Sequence, residues 1–482
     1  MNTKALRQKV LDLAIHGKLV PQNPNDESAE VLLKKIREEK AEKIKKGELK
    51  ADKKDSFIFV GSDKRHYEQF ADGTVKDIED EIPFNIPEGW AWCRFSEVSI
   101  NRDSERKPVN SSNRKNVKKI YDYYGAAGVI DKVEEYLFDE KLLLIGEDGA
   151  NLLSRTKNNA FIACGKYWVN NHAHVIDCFD KSMLDYLCYY INAITLDEYI
   201  TGSAQPKFTQ KALNDLLLPL PALKEQQRII NTIERFFAKI DELELNKTYI
   251  QTAIKQAKSK ILDLAIHGKL VPQDPNDEPA EELLKRIATS DNRPYEKIEE
   301  EPFEIPDSWK WVKLNDLAEI ARGGSPRPIQ DYITDNQDGI NWIKIGDTSE
   351  ESKYITSAKE KIKPEGKKHS RFVHAGDFLL TNSMSFGRPY ILKIDGCIHD
   401  GWLVFANIKE CLLQDYLYYA LSSAYIYETF SNVAAGSTVK NLKSDTVKQV
   451  NFPLPPLSEQ RRIVEAIEKM YEVLDKIQNN LV

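Results

Sequence analysis

Few side chains in this sequence are spaced for covalent chemistry, while basic residues gather in clusters. His172 and His174, in VNNHAHVI, stand two apart, as a strand could present two metal ligands. No third ligand accompanies them, so two hydrogen-bonded histidines flanking a strand are the better reading. Glu147 and Asp148, in LLLIGEDGAN, offer carboxylates without the lysine that a nuclease centre places two residues on, so a turn at a strand end is expected. The sequence contains no GxxxxGK[ST], no GxGxxG after a strand-like run, no HExxH and no nucleophile elbow. It also lacks the Asn/Asp-Pro-Pro-aromatic tetrapeptide of amino-methyltransferases. By itself the chain is expected to catalyse nothing.

Basic residues cluster twice. Arg102, Arg106, Lys107, Arg114, Lys115, Lys118 and Lys119 precede Tyr121, Tyr123 and Tyr124; Lys359, Lys361, Lys363, Lys367, Lys368 and Arg371 crowd a second stretch. Such loops neutralise phosphates and give salt-dependent affinity, while polar neighbours read base edges. A lysine cluster is more often a solvated face, yet one in each half of a repeated chain favours DNA. Candidate contacts in the first half are Arg114, Lys115, Lys118, Lys119, Tyr123, Tyr124, Ser154, Arg155, Lys157, Asn171 and Lys207. In the second they are Arg322, Ser325, Arg327, Lys344, Lys367, Lys368, Asn382, Ser385, Arg388 and Lys440. Arginine suits guanine and asparagine suits adenine in the geometry of direct readout.

Two variable regions carry these residues, about 89–217 and 308–451. Both alternate β-rich runs (Leu142–Ile145, Ala160–Cys164, Tyr167–Val169; Phe378–Thr381, Tyr390–Lys393, Trp402–Ala406) with Gly and Asn turns. Each ends in an aromatic-rich helix, Leu184–Ile194 or Asp415–Tyr427, before a Gly-Ser turn and a proline motif. The openings also match: IPFNIPEGWAWCRF and EPFEIPDSWKWVKL place Trp90 and Trp92 against Trp309 and Trp311. Equal placement in both halves favours core anchors over base-stacking. The plan is two mixed α/β domains with different contents.

What must position them is a rod. Ile233, Ile240, Ile254 and Ile261 keep a seven-residue register, as do Phe236, Leu243, Ile250, Ala257 and Leu264; Lys247 interrupts it. This is a coiled-coil seam, in a helix roughly 65 Å long. Its partners are copies of itself. VLDLAIHGKLVPQNPNDESAEVLL (Val10–Leu33) recurs as ILDLAIHGKLVPQDPNDEPAEELL (Ile261–Leu284), so Leu6, Val10 and Leu13 repeat Ala257, Ile261 and Leu264. FPLPPLSEQRRIVEAIEKMYEVLDKI (Phe452–Ile477) repeats LPLPALKEQQRIINTIERFFAKIDEL (Leu218–Leu243), extending the seam through Ile467, Met470, Leu474 and Ile477. A pseudo-two-fold within one chain follows. The charged run between Lys34 and Lys54 has a shorter counterpart after Leu284 and reads as a solvated helix or tether.

At 482 residues, 41% apolar and 30% charged, the chain fits a multi-domain soluble protein. No apolar run approaches the roughly 20 residues of a membrane span, and the first helix lacks a signal peptide's apolar core. Six cysteines without CxxC spacing read as reduced thiols in a cytoplasm. A net charge of −7 disfavours indiscriminate nucleic-acid binding.

The two AIHGKLVPQ(N/D)PNDE segments, the two PLP-x-L-x-EQ-x-RI helix starts and the I-P-x-x-W-x-W openings together resemble the DNA specificity subunit of type I restriction–modification systems. YYGAAGVIDKVEEYLFDEKLLLIGEDGANL, GGSP and INWIKIGD are similar to members too. The resemblance implies two target-recognition domains separated by a long antiparallel two-helix coiled coil. Residues 82–221 and 301–456 would be those domains. Residues 1–36, 222–287 and 457–482 would be the conserved helical segments, with connectors at 37–81 and 288–300. It implies that each domain reads one half of an asymmetric split site. Implied partners are duplex DNA, two methyltransferase (modification) subunits and two restriction (translocase/nuclease) subunits. S-adenosylmethionine, ATP and magnesium would belong to those partners and none to this chain. The alternatives are a subunit of a methylation-only or type IIB-like enzyme, and a coiled-coil scaffold with two ligand-binding domains and no DNA.

Overall fold

Apolar rows that no single helix can bury alone find their cover within each half of the chain. The computed structural model describes residues 2–51, 54–115, 118–202, 205–291, 298, 300–349, 352–383, 386–434 and 441–481. The chain divides into two compact units, Met1–Asn246 and Lys247–Val482. The central helix, Leu223–Ile266, runs unbroken for 44 residues from one unit into the other. No helix among the described residues is long and apolar enough to cross a membrane.

In the first unit the N-terminal helix, Thr3–Ile15, lies antiparallel to the first half of the central helix. Arg7 pairs with Asp241 and stacks on Phe237, while Gln22 donates to Glu225 at 2.8 Å and Arg228 pairs with Asp26 at 2.6 Å. In the second unit the C-terminal helix, Leu457–Asn480, covers the second half through the repeat-related contacts. Lys258 pairs with Asp475 at 2.5 Å and sits over Tyr471, Gln273 donates to Glu459 at 2.6 Å, and Arg462 pairs with Asp277 at 2.6 Å.

The seam is narrower than the heptad reading. Val10, Ile233, Ile240, Ile254 and Ile467 are buried, and Leu13, Ile250, Ile261, Leu264 and Leu474 are half-buried. Leu6, Phe236, Leu243, Met470 and Ile477 are exposed, which corrects their assignment to the seam. The reason is geometric. Phe237, four residues after Ile233, turns inward against Tyr189 and Arg7, so the position three residues on, Phe236, faces out. Leu243 lies where the short N-terminal helix runs out.

Both N-terminal-type helices end on a glycine that only glycine can fill. Gly17 and Gly268 have φ of +64°, and a Cβ there would fall 2.2 Å from Pro87 Cγ or 2.4 Å from Pro306 Cγ. Trp90 and Trp309 close the same corners and are buried, as core anchors should be.

Each mixed α/β domain is framed by the strand it enters on and the strand it leaves on. Ala91–Arg94 pairs antiparallel with Leu217–Leu220, and Lys310–Lys313 with Asn451–Leu454, so the tryptophan openings meet the proline motifs in register. Above each frame sit two sheets with the same strand order. In the first domain the order is Ala160–Ala163, Leu142–Gly146, Ala173–Cys178, Ser99–Asn101; the other sheet runs Gly128–Val133, Tyr121–Gly125, Lys166–Val169, Phe138–Asp139. The second domain repeats the first sheet as Pro389–Leu392, Phe378–Thr381, Trp402–Ala406, Glu319–Arg322, adding Tyr354–Ile355 at the edge. Its other sheet is Glu360–Ile362, Ile340–Ile343, Gly396–Ile398, Arg371–Val373. The Tyr121–Gly125/Lys166–Val169 and Ile340–Ile343/Gly396–Ile398 pairs are parallel in both. Each aromatic helix is pinned to its proline motif: Tyr186 donates to the Pro219 carbonyl at 2.6 Å and Tyr416 to that of Pro453 at 3.0 Å. The second aromatic helix breaks at Ser422–Ser423, giving Gln414–Leu421 and Ala424–Ala434 rather than one run.

The charged segment is not a tether. Ala29–Lys45 is a helix docked through Leu32, Leu33 and Ile36, with Arg37 paired to Glu97 at 2.6 Å and stacked on Phe57. A three-stranded meander follows it (Ser56–Val60, His66–Phe70, Val75–Asp77). It is fastened by Arg94, whose guanidinium meets Glu68 at 2.7 Å and Glu81 at 2.8 Å.

Candidate nucleic-acid interface

The first domain gathers its basic residues on loops held in place by local acids and amides. Arg114 ends a short helix, lies over the Tyr123 ring at 4.5 Å and meets Asp131 at 3.2 Å; Lys119 meets the same carboxylate at 2.7 Å. Lys115 and Lys118 flank them, exposed. Tyr123 is buried and its hydroxyl accepts from the Val109 N–H at 2.9 Å; Tyr124 is half-buried and stacks on Phe161. Tyr123 is thereby taken up in the packing of the domain, whereas Tyr124 keeps part of its surface open.

The loop after Leu142–Gly146 carries Ser154 and Lys157, both exposed. Asn151 organises it, accepting from the Lys157 N–H and Thr156 hydroxyl at 3.0 Å each and donating to Asn159 at 2.7 Å. Arg155 is the C-cap at φ +48° and donates to the Asn192 carbonyl, so it braces the loop. Asn171 is exposed on a turn beside His172, which bonds Asp148 at 2.8 Å.

Lys207 is exposed and pairs with the rim of a partly buried polar knot. His174 bonds Asp103 at 2.6 Å through Nδ1 and the Phe208 carbonyl at 2.8 Å through Nε2. Glu147 takes Arg106 at 2.7 Å and Lys207 at 3.1 Å. Asp103, Glu147 and His174 lie close enough to hold a cation. The donors are already spoken for: both imidazole nitrogens are engaged and two cations neutralise Glu147. Burial pushes the Asp103 and Glu147 carboxyls up, but the bonds from His174 and Arg106 outweigh it and hold both below the ordinary range. The knot ties three strand ends together, so His174 is the satisfied histidine its spacing implied.

In the second domain one carboxylate collects the predicted contacts. Ser325 donates to Asp400 Oδ1 at 2.9 Å, Arg327 meets Oδ2 at 3.2 Å, and Arg322 Nε and Asn382 Nδ2 each donate to the Asp400 carbonyl at 2.8 Å. An open cavity of about 460 Å³ is lined by Ser325, Arg327, Trp342, Lys344, His399 and Asp400. Lys344 pairs with Glu360 at its rim. Burial pushes the His399 imidazole down, and the Ser325 hydrogen bond keeps Asp400 low against its own burial. Asn382 is fully buried, so it supports the loop and is not a base reader. Lys367 lies over Phe372 at 3.8 Å, and Lys368 is exposed. Arg388 lines a separate groove with Tyr418 and Tyr427. Ser385 and Lys440 lie outside the described residues. Asp400 and His399 were missed by the sequence reading; their only mark is IHDGW, a polar pair between a strand and its turn.

The family model described as "Type I restriction modification DNA specificity domain" matches residues 87–252 and again 306–481. The Escherichia coli type I restriction enzyme EcoEI specificity subunit is 25% identical, over 99% of this chain and 90% of its own. The EcoAI specificity subunit from the same species is 26% identical over 98% and 90%. A solved chain from work on complex assembly and conformational transition of the type I R–M system superposes with a TM-score of 0.53 at 18% identity, covering 83% of this chain and 94% of that one.

Proposed function

Since the chain belongs to the type I restriction–modification DNA specificity family, as a specificity subunit with two DNA specificity domains, we propose that each domain reads one half of an asymmetric, split duplex site. The observation that carries this is the repetition of frame without repetition of content. Identical strand orders present Lys115, Lys118, Ser154, Lys157 and Asn171 in one domain and Ser325, Arg327, Lys344 and Lys368 in the other. Related frames meet related DNA poses; unlike side chains read unlike sequences.

The chain acts as an address and leaves chemistry to its partners. Two methyltransferase subunits dock on the helical segments, and two restriction subunits join through them. Support comes from apolar side chains left exposed at repeat-related places: Phe236 and Leu243 in the first unit, Met470 and Ile477 in the second. Apolar rows this exposed on a helix mark interaction surfaces. S-adenosylmethionine, ATP and magnesium act on the partners, in the cytoplasm. Selection of duplexes from a random pool by the chain with its methyltransferase tests the reading. Enrichment of a two-part motif with a fixed gap, weakening steeply with salt, is expected; binding indifferent to sequence would overturn it.

A further inference from the structure

We infer that Asp400 is a positioning residue that aims Arg327 at a guanine in the half-site read by the second domain; this rests on the DNA reading above. Arg327 has 81% of its side chain exposed, yet its Nη2 is held 3.2 Å from Asp400 Oδ2. Asp400 is itself fixed from several directions. Ser325 holds its other carboxylate oxygen, and Arg322 and Asn382 hold its carbonyl. The loop carrying Asn382 is locked in turn by its N–H to the Gly401 carbonyl at 2.9 Å. A carboxylate contact at one nitrogen orients the planar guanidinium and leaves its remaining N–H groups directed away from that contact.

Charge decides what those N–H groups meet. A phosphate beside Arg327 would also lie beside the Asp400 carboxylate, and the two anions repel at short range. A neutral base edge carries no such penalty. Guanine presents two acceptors, O6 and N7, matched to two parallel N–H groups of one guanidinium. The open cavity beside Arg327 gives an edge-on base room, with Trp342 and His399 in its lining. Lys344, paired to Glu360 at the rim, stands outside this tether and suits a backbone contact.

The test is duplex selection with the full chain and its methyltransferase, comparing wild type with Arg327→Lys, Asp400→Asn and Lys344→Ala at two salt concentrations. Arg327→Lys, an exposed change that leaves the fold alone, should lower preference for guanine at one position of one half-site about tenfold or more. The slope of affinity against salt should stay unchanged. Asp400→Asn should weaken preference at that same position, and Lys344→Ala should weaken all sequences alike and flatten the salt slope. If wild type selects a split motif while Arg327→Lys keeps every base preference, a bare positive charge suffices at that position, Arg327 reads no guanine, and the assignment fails alone. If wild type selects no motif, the DNA reading fails with it.

Discussion

Single side chains divide here into exposed ones on loops and buried ones that hold those loops. Lys115, Lys118, Ser154, Lys157 and Arg327 are exposed, whereas Tyr123, Asn382 and His174 are buried and bonded. Composition and clustering found the basic loops, because phosphate binding needs only charge near a turn. They could not separate Tyr123 from Lys118, since which face of a strand is buried depends on the sheet above it. Nor could they find Asp400, whose importance lies in four partners 18 to 78 residues away in sequence. Lys118→Ala should weaken binding to all duplexes similarly and reduce the salt slope by about one, measured by titration at several salt concentrations. A change confined to one sequence would show that Lys118 reads a base.

At the scale of elements, the turns and docked helices carry the strain and the pH response. Gly268→Ala must adopt φ +64° and displace Pro306, so it should cost at least about 2 kcal/mol. Gly47→Ala, at φ +74° with open space around it, should cost only about 1 kcal/mol. Urea denaturation of the two variants separates these outcomes. The helix Ala29–Lys45 brings Arg37 to Glu97, but one Glu97 oxygen is buried without a partner. Burial therefore prevails over Arg37 and pushes the Glu97 carboxyl up to about 7. A folded value above the unfolded one means the native state binds the extra proton. Its stability contribution is complete near pH 4 and is lost as pH rises towards and through 7. Glu97→Gln should flatten that decline, by on the order of 1–3 kcal/mol between pH 5 and 8 in urea titrations; an unchanged pH profile would contradict it. A helix was one of the two forms readable in the charged run after Lys34. Its docking was not, because the surface it meets, Glu97 and Phe57, is assembled from a short helix between strands and an inserted meander with no counterpart among the described residues of the second half.

For the whole molecule, repetition in the sequence was the strongest guide. Paired copies of AIHGKLVPQ and PLP-x-L-x-EQ foretold paired contacts, and Arg7–Asp241 and Lys258–Asp475 are the same contact made twice. The heptad overstated the seam, since a helix can turn inward three or four residues on, and Phe237 rather than Phe236 does so. The central helix passes from one unit to the other without a break. Four residues inserted after Lys247 add about one turn, near 5 Å of helix. That insertion should lengthen the unread gap of the target and leave both half-motifs intact, as read by methylation mapping; an unaltered gap would refute the helix as the spacing element. The central claim, two readers with unlike contents on one frame, has a direct measurement. Residues 82–221 are replaced by those of another specificity subunit, and methylated adenines are mapped genome-wide by single-molecule sequencing beside the unaltered chain. One half of a split motif should change while the other half and the gap persist. A change in both halves, or in neither, would contradict the account.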